Sequence, residues 1–179
     1  MLAGTALIDP REIFTKVGLA AGMRIADLGC GRTGHFIFAA AHTVGSTGLV
    51  YAIDVQREVL DTIQNRIRAE GFDTIQTVWS DLTSVGRAAI PPSTLDGAFI
   101  INVVWLVRER TQFIQEGLRL LKPGSFLVII DWARTLGPGV PAQLVSPDEL
   151  IEIGKRNGLF LIEKFPVGNY HYGLYFKKA

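Results

Sequence analysis

The chain is short of cysteine, of basic runs and of long apolar stretches, and each shortage removes a class of protein. A single cysteine, Cys30, cannot form an intrachain disulfide and suits a reducing compartment. The formal net charge is +1, and the 18 Lys and Arg are scattered rather than gathered into a run or a basic-aromatic stripe. No dedicated nucleic-acid surface is therefore visible. The longest apolar run, Ala98 to Val107, is broken by Asn102 and falls well short of the ~18–20 residues that span a bilayer. Met1 to Phe14 lacks the basic start and continuous apolar stretch of a signal peptide. No cluster of Cys and His suggests a metal site, and nothing beside Cys30 marks a reactive thiolate. The expectation is a cytoplasmic protein without a membrane span, with residues 1–179 forming one domain and 1–22 a helical lead-in.

What is present is ordinary in amount and regular in arrangement. Apolar residues make up 48% and charged residues 20% of the 179, enough for a sizeable core. Short β-rich apolar runs at Met23–Leu28, Gly48–Asp54, Thr74–Trp79, Leu95–Ile101 and Ser125–Asp131 alternate with stretches of helical spacing. In Gln56–Glu70, Val59, Leu60, Ile63 and Ile67 share one face. In Arg110–Leu121, Phe113, Ile114, Leu118 and Leu121 align, and Lys122-Pro123-Gly124 reads as a stop. Ser146-Pro147-Asp148-Glu149 reads as an N-cap, a first-turn proline and a capping-box glutamate. Such alternation predicts a parallel sheet covered by helices on both faces. Leu159–Phe165 and Tyr170–Lys177 are joined by only Pro166-Val167-Gly168-Asn169, too short for a crossover. They should pair as an antiparallel hairpin, giving a seven-stranded mixed sheet. The Gly/Pro-rich Thr135–Pro141 reads as a loop.

After the first strand comes Asp27-Leu28-Gly29-Cys30-Gly31-Arg32-Thr33-Gly34, opening a helix at about His35. Gly29, Gly31 and Gly34 satisfy G-x-G-x-x-G, which lets backbone approach a ligand and presents helix N–H groups to an anion. Asp54 ends the second strand 20 residues after Gly34, where a carboxylate accepts from ribose hydroxyls. The spacing alone also admits a nicotinamide dinucleotide. Asp27 ahead of the loop, Ser80-Asp81-Leu82 closing the third strand and the terminal hairpin point elsewhere.

Together A-D-L-G-C-G-R-T-G, V-Y-A-I-D and G-L-R-L-L-K-P-G-S-F-L-V-I-I-D resemble the class I S-adenosylmethionine-dependent methyltransferases, in particular the small-molecule branch that includes quinone-biosynthesis enzymes. The likeness runs from about Gly22 to Phe176. It implies a doubly wound, Rossmann-like α/β sheet of order 3-2-1-4-5-7-6 with S-adenosylmethionine as cofactor. By resemblance, Asp27, Leu28 and the Gly29, Cys30 and Gly31 backbone line the methionine end, with Gly34 completing the loop. Asp54 holds the ribose diol and Val55 lies against adenine. Asp81 accepts from the adenine amino group with Leu82 beside it, and Asn102 meets the methionine portion.

The acceptor end is less marked. Asp131 and His171 are candidate bases. Asp131 reads equally as a loop anchor paired with Arg134, and His171 as a hairpin residue between two tyrosines. Trp105 and Trp132 suit a pocket wall or ordinary core. Ile8–Phe14 suits a helix partly covering the cofactor. Both segments that carry acceptor recognition in the family are short, which leaves an open site or one completed in a homodimer. Methyl transfer to a small apolar or aromatic molecule leads. A nicotinamide-dependent oxidoreductase, a non-catalytic nucleotide-binding protein, and a protein or RNA acceptor stand as alternatives.

Overall fold

In the computed structural model, residues 7–135, 137 and 141–179 are described. Most of the expected loop at 135–141 lies outside them. Five strands run parallel: β1 (Arg24–Leu28), β2 (Leu49–Asp54), β3 (Ile75–Trp79), β4 (Leu95–Ile101) and β5 (Leu121–Trp132). β6 (Leu159–Val167) and β7 (His171–Lys178) form the hairpin, and β7 pairs antiparallel with β5. The order is β3-β2-β1-β4-β5-β7-β6 in one seven-stranded sheet, the order the resemblance implied. Winding reverses between β1 and β4, so the crevice for a ligand opens at their carboxyl ends.

Alternate side chains of each strand feed two cores, as a pleated sheet dictates. Phe99, Phe126, Val128 and Ile130 face helices α1 (Pro10–Val17), α2 (His35–Val44) and α3 (Arg57–Glu70). Ala98, Ile100, Leu127 and Ile129 face α4 (Arg110–Leu120) and α5 (Pro147–Arg156). Both cores are closed by long apolar side chains, so the strands read as continuous hydrophobic runs. Among the described residues no helix is long and apolar enough to cross a membrane.

The helix starts follow the capping signals. Asp9 accepts from the Arg11 N–H at 2.9 Å ahead of Pro10, and Ser146 accepts from the Asp148 N–H at 3.2 Å ahead of Pro147. Glu149 does not reach back to complete a capping box; it pairs with Arg110 at 3.1 Å. At the end of α4, Leu121 already belongs to β5 and pairs with Leu95. Lys122-Pro123-Gly124 therefore lies inside a strand that is irregular until Phe126 meets Gly97. The hairpin turn is also shorter than expected, because Pro166 and Val167 extend β6. Proline is tolerated there because β6 is an edge strand with a free N–H side.

Candidate active site

The loop after β1 is tied to the end of β2 before any ligand is considered. The Gly29 and Cys30 N–H groups donate to the Ile53 carbonyl at 2.8 and 3.0 Å. Asp54 then fixes the tip, accepting from the Gly31 N–H at 3.1 Å and the Gln56 N–H at 3.0 Å. Gly29 has φ +84°, and a Cβ there would lie 2.8 Å from a methyl of Val103. Gly31 has φ +63° with open space above it, so a ligand can approach its backbone.

The loop borders a cavity of about 900 Å³ at the carboxyl ends of the strands, at the upper end of the usual range for small-molecule sites. Gly29, Cys30, Gly31, Asp54, Val55, Asp81, Leu82, Asn102, Trp105 and Trp132 all line it. Five strand ends thus bring together residues that are far apart in the chain.

Two residues at the β1–β4 reversal have polar atoms without partners among the described residues. Asp27 is 4% exposed, and its Oδ1 accepts no hydrogen bond. Burial pushes its carboxyl up to about 7, and the charge of nearby Asp54 adds to the rise. Asn102 sits at φ +57°, a left-handed backbone rare for a non-glycine residue. Its side-chain oxygen and nitrogen are both buried and unpartnered. Its backbone is held firmly: the N–H donates to Ile130 at 2.8 Å, and the carbonyl accepts from the Trp105 indole at 3.0 Å. Unpaired buried polar atoms of this kind are costly, and groups kept so at strained backbone mark a ligand site.

Asp81 is differently placed. It is exposed, and accepts from the Thr83 hydroxyl at 2.6 Å and N–H at 3.0 Å. These bonds hold its carboxyl below the usual range, so it stays an acceptor at neutral pH. Val55 is half exposed, and its carbonyl accepts from the Trp79 indole at 2.8 Å.

The remaining wall is apolar. A short 3-10 turn, Val104–Leu106, follows Asn102 and contributes Trp105 and Leu106; Val103, Val107 and Phe113 continue it, and Trp132 closes the side. Asp131 underlies this wall. Only 1% exposed, it accepts from the Trp132 N–H at 2.8 Å and the Trp105 N–H at 3.2 Å. Burial raises its carboxyl to about 6 against those hydrogen bonds.

Several expected residues lie elsewhere. Leu28 is fully buried in the core that faces α4 and α5. Gly34 is a packing glycine: a Cβ there would meet Ile63 at 2.7 Å and Phe38 at 2.8 Å. Asp27 lies beneath the cavity lining. Asp131 is a wall anchor without Arg134 among its partners, and His171 stacks on Trp132 rather than lying between tyrosines. Neither candidate base lines the large cavity. Helix α1 does not line it either; Phe14 packs on Phe36 and Phe99, with centroids at 5.8 and 5.5 Å. Ser80, Thr83, Val103, Leu106, Val107 and Phe113 do line it without having been singled out as site residues. The strand-end position of Ser80 beside Asp81 was a usable signal, whereas the apolar residues look like any core residue.

A family model described as a methyltransferase domain matches residues 19–165. The chain belongs to that methyltransferase domain family. Its sheet is that of the class I S-adenosylmethionine-dependent methyltransferases. A structure titled as a SAM-dependent methyltransferase from Aquifex aeolicus is 26% identical with a TM-score of 0.88, over 100% of this chain and 94% of that one. A ubiquinone/menaquinone biosynthesis C-methyltransferase, UbiE, from Hydrogenovibrio crunogenus is 28% identical over 72% of this chain and 49% of its own length. Methyltransferase GfsG of Streptomyces halstedii is 28% identical over 67% and 41% respectively. This methyltransferase domain thus spans less than half the length of both relatives.

Proposed function

We propose that this methyltransferase domain binds S-adenosylmethionine and transfers its methyl group to a small apolar or aromatic acceptor. The observation that carries the reading is the division of one cavity into a polar end and an apolar wall. Just beneath the polar end, the unpartnered Asp27 oxygen suits the cofactor's ammonium group, and the unpartnered Asn102 amide, which lines the cavity, suits its neighbouring polar groups. Asp54, already fixed by two N–H groups, keeps lone pairs for a ribose diol. Asp81 remains ionised to accept from an adenine amino group, with Val55 and Leu82 against the ring. When bound, the cofactor supplies an electrophilic methyl on a sulfonium, so the hard chemistry is its own.

What the chain supplies is placement. Val103, Trp105, Leu106, Phe113 and Trp132 offer an apolar surface on which a ring can lie and from which water is displaced. Holding an acceptor in line can be worth roughly 7–11 kcal/mol. The UbiE relative, named as a C-methyltransferase of ubiquinone and menaquinone biosynthesis, supports a ring-shaped acceptor of this kind. Asp131 serves by holding the backbone of both tryptophans in position. The rim is open at Leu106, which is 64% exposed, and closure by a second copy of the chain follows as a subsidiary proposal. A monomeric mass at micromolar concentration would overturn that homodimer.

The test is calorimetric titration with S-adenosylmethionine, its demethylated product and NAD, repeated on Asp54→Ala. Hydrogen bonds to a charged group contribute about 1.5–3 kcal/mol each, so losing the diol contacts and the loop anchor should weaken cofactor binding at least a hundredfold. Absence of binding by either sulfur compound to the unmodified chain sinks the reading. Binding of NAD in their place favours the oxidoreductase.

A further inference from the structure

Behind Trp132 lies a second group of unpartnered buried polar atoms, separate from the polar end of the large cavity. Trp132 and His171 are cross-strand neighbours in the β5–β7 pairing, and their rings stack with centroids 4.3 Å apart. Trp132 lines the large cavity, whereas His171 lines another, of about 440 Å³, with Arg134, Lys164, Phe165, Asn169 and Tyr172 among its neighbours. His171 is 3% exposed. Both its ring nitrogens and the Trp132 indole N–H have no hydrogen-bond partner among the described residues. Such atoms are costly when left unpaired, so the arrangement asks for a partner that the described residues do not provide.

The charged residues that line the smaller cavity have one sign. Arg134 and Lys164 line this cavity, and no Asp or Glu does. Lys164 is engaged by Asp148 at 3.0 Å, while the exposed Arg134 guanidinium makes no salt bridge to a described residue. Two other titratable groups are near. The Tyr172 hydroxyl donates to the Val145 carbonyl at 3.0 Å, and the Asp131 carboxyl is occupied by the backbone N–H groups behind the tryptophans. Burial keeps the imidazole neutral, drawn down to about 4, so it offers one N–H donor. Phe165, Pro166 and Ala133 add an apolar floor.

We propose that this second cavity binds a small organic carboxylate. Arg134 supplies the forked, charge-assisted contact that a carboxylate prefers, His171 and Asn169 supply neutral donors, and the apolar floor takes the rest of the molecule. One uncommitted guanidinium matches one negative charge, which favours a carboxylate over a phosphate dianion. The Trp132–His171 stack is the partition between this site and the large cavity.

The experiment follows the imidazole resonances by NMR in the full chain without cofactor, so its outcome is separate from that of the cofactor titration. The chain has three histidines, and His171→Gln assigns the signal. Benzoate at millimolar concentration should move the His171 resonance and carry its titration upward toward the ordinary histidine range, because a bound anion favours the imidazolium. Benzyl alcohol and inorganic phosphate should not. Arg134→Gln, at an exposed position that leaves folding intact, should weaken benzoate at least tenfold. The proposal is overturned by an unmoved His171 signal at tens of millimolar benzoate. An equal response to benzyl alcohol or phosphate overturns it as well, as does undiminished binding by Arg134→Gln.

Discussion

The two ends of the large cavity are built on different principles. At the carboxyl ends of β1, β2 and β3, backbone N–H groups and carboxylates hold one another. Ile53 takes two loop N–H groups, Asp54 two more, and Asp81 is bound by Thr83. After β4 and β5 the wall is made of Val103, Trp105, Leu106 and Phe113, with Asp131 and the Asn102 carbonyl pinning the two tryptophans from behind. Hydrogen bonds fix position and orientation closely, whereas apolar contact tolerates exchange of shape. A fold that keeps one cofactor and changes acceptors needs this division: a polar end that cannot drift, and a wall that can be rebuilt by substitution.

After the cofactor loss expected of Asp54→Ala, the next largest effect is at the wall. Trp105→Ala should raise the KM of an aromatic acceptor by roughly tenfold to a hundredfold, since a buried aromatic ring contributes about 1.5–3 kcal/mol. Because the same change removes the indole N–H that holds the Asn102 carbonyl, the dissociation constant for S-adenosylmethionine should rise by no more than about fivefold, the worth of one neutral hydrogen bond. A parallel loss of cofactor affinity in titration would erase the distinction between the two ends.

A smaller effect is expected beneath the loop, and it depends on pH. The Asp27 carboxyl is raised by burial to about 7, so it gains charge between pH 6 and 8. A cationic ligand favours the ionised form, so cofactor affinity should rise about tenfold over that interval. Asp27→Asn should flatten the profile. The same shift has a stability consequence of opposite sign. A carboxyl whose folded value lies above its unfolded one stabilises the protein at low pH and loses that contribution as pH rises through about 7. The ligand-free chain should therefore melt earlier at pH 8 than at pH 5, and less so in Asp27→Asn.

The smallest effect sits at the adenine side. Trp79→Phe keeps the ring beneath the Arg57 guanidinium, now 4.4 Å from its centroid, but removes the N–H that holds the Val55 carbonyl. One neutral hydrogen bond is worth about 1 kcal/mol, so cofactor affinity should fall roughly fivefold, with acceptor KM unchanged. A fluorescence titration of both proteins decides it.

The same contrast governs what could be read from residue order alone. Strands and helices were legible because short continuous apolar runs, helical stripes and caps are local, and so were the glycine loop, Asp54 and Asp81, each set by its own strand end. The apolar wall was not. Val103, Leu106 and Phe113 carry no mark that separates a pocket surface from a core, because only the turn after β4 brings them together. Gly34 is ambiguous in the sequence for a related reason: a loop glycine serves packing as readily as ligand approach, and only the structure brings Phe38 and Ile63 against it. Helix α1 was expected over the cofactor, but its stripe of Ile13, Phe14 and Val17 is satisfied by the sheet core instead.

The place of β7 has a consequence for how the chain acquires its structure. It is the last strand in order of synthesis among the seven, yet it lies between β5 and β6. Until it arrives, the edge of β5 presents Phe126 through Trp132 with their backbone groups unpaired. Such an edge is a template for another chain. Nascent molecules therefore pass through a stage in which β1 to β5 can assemble while the sheet remains open along the apolar stretch of β5. Chaperone dependence and aggregation during expression should concentrate at that stage, and a stop codon placed before His171 should send the product to the insoluble fraction.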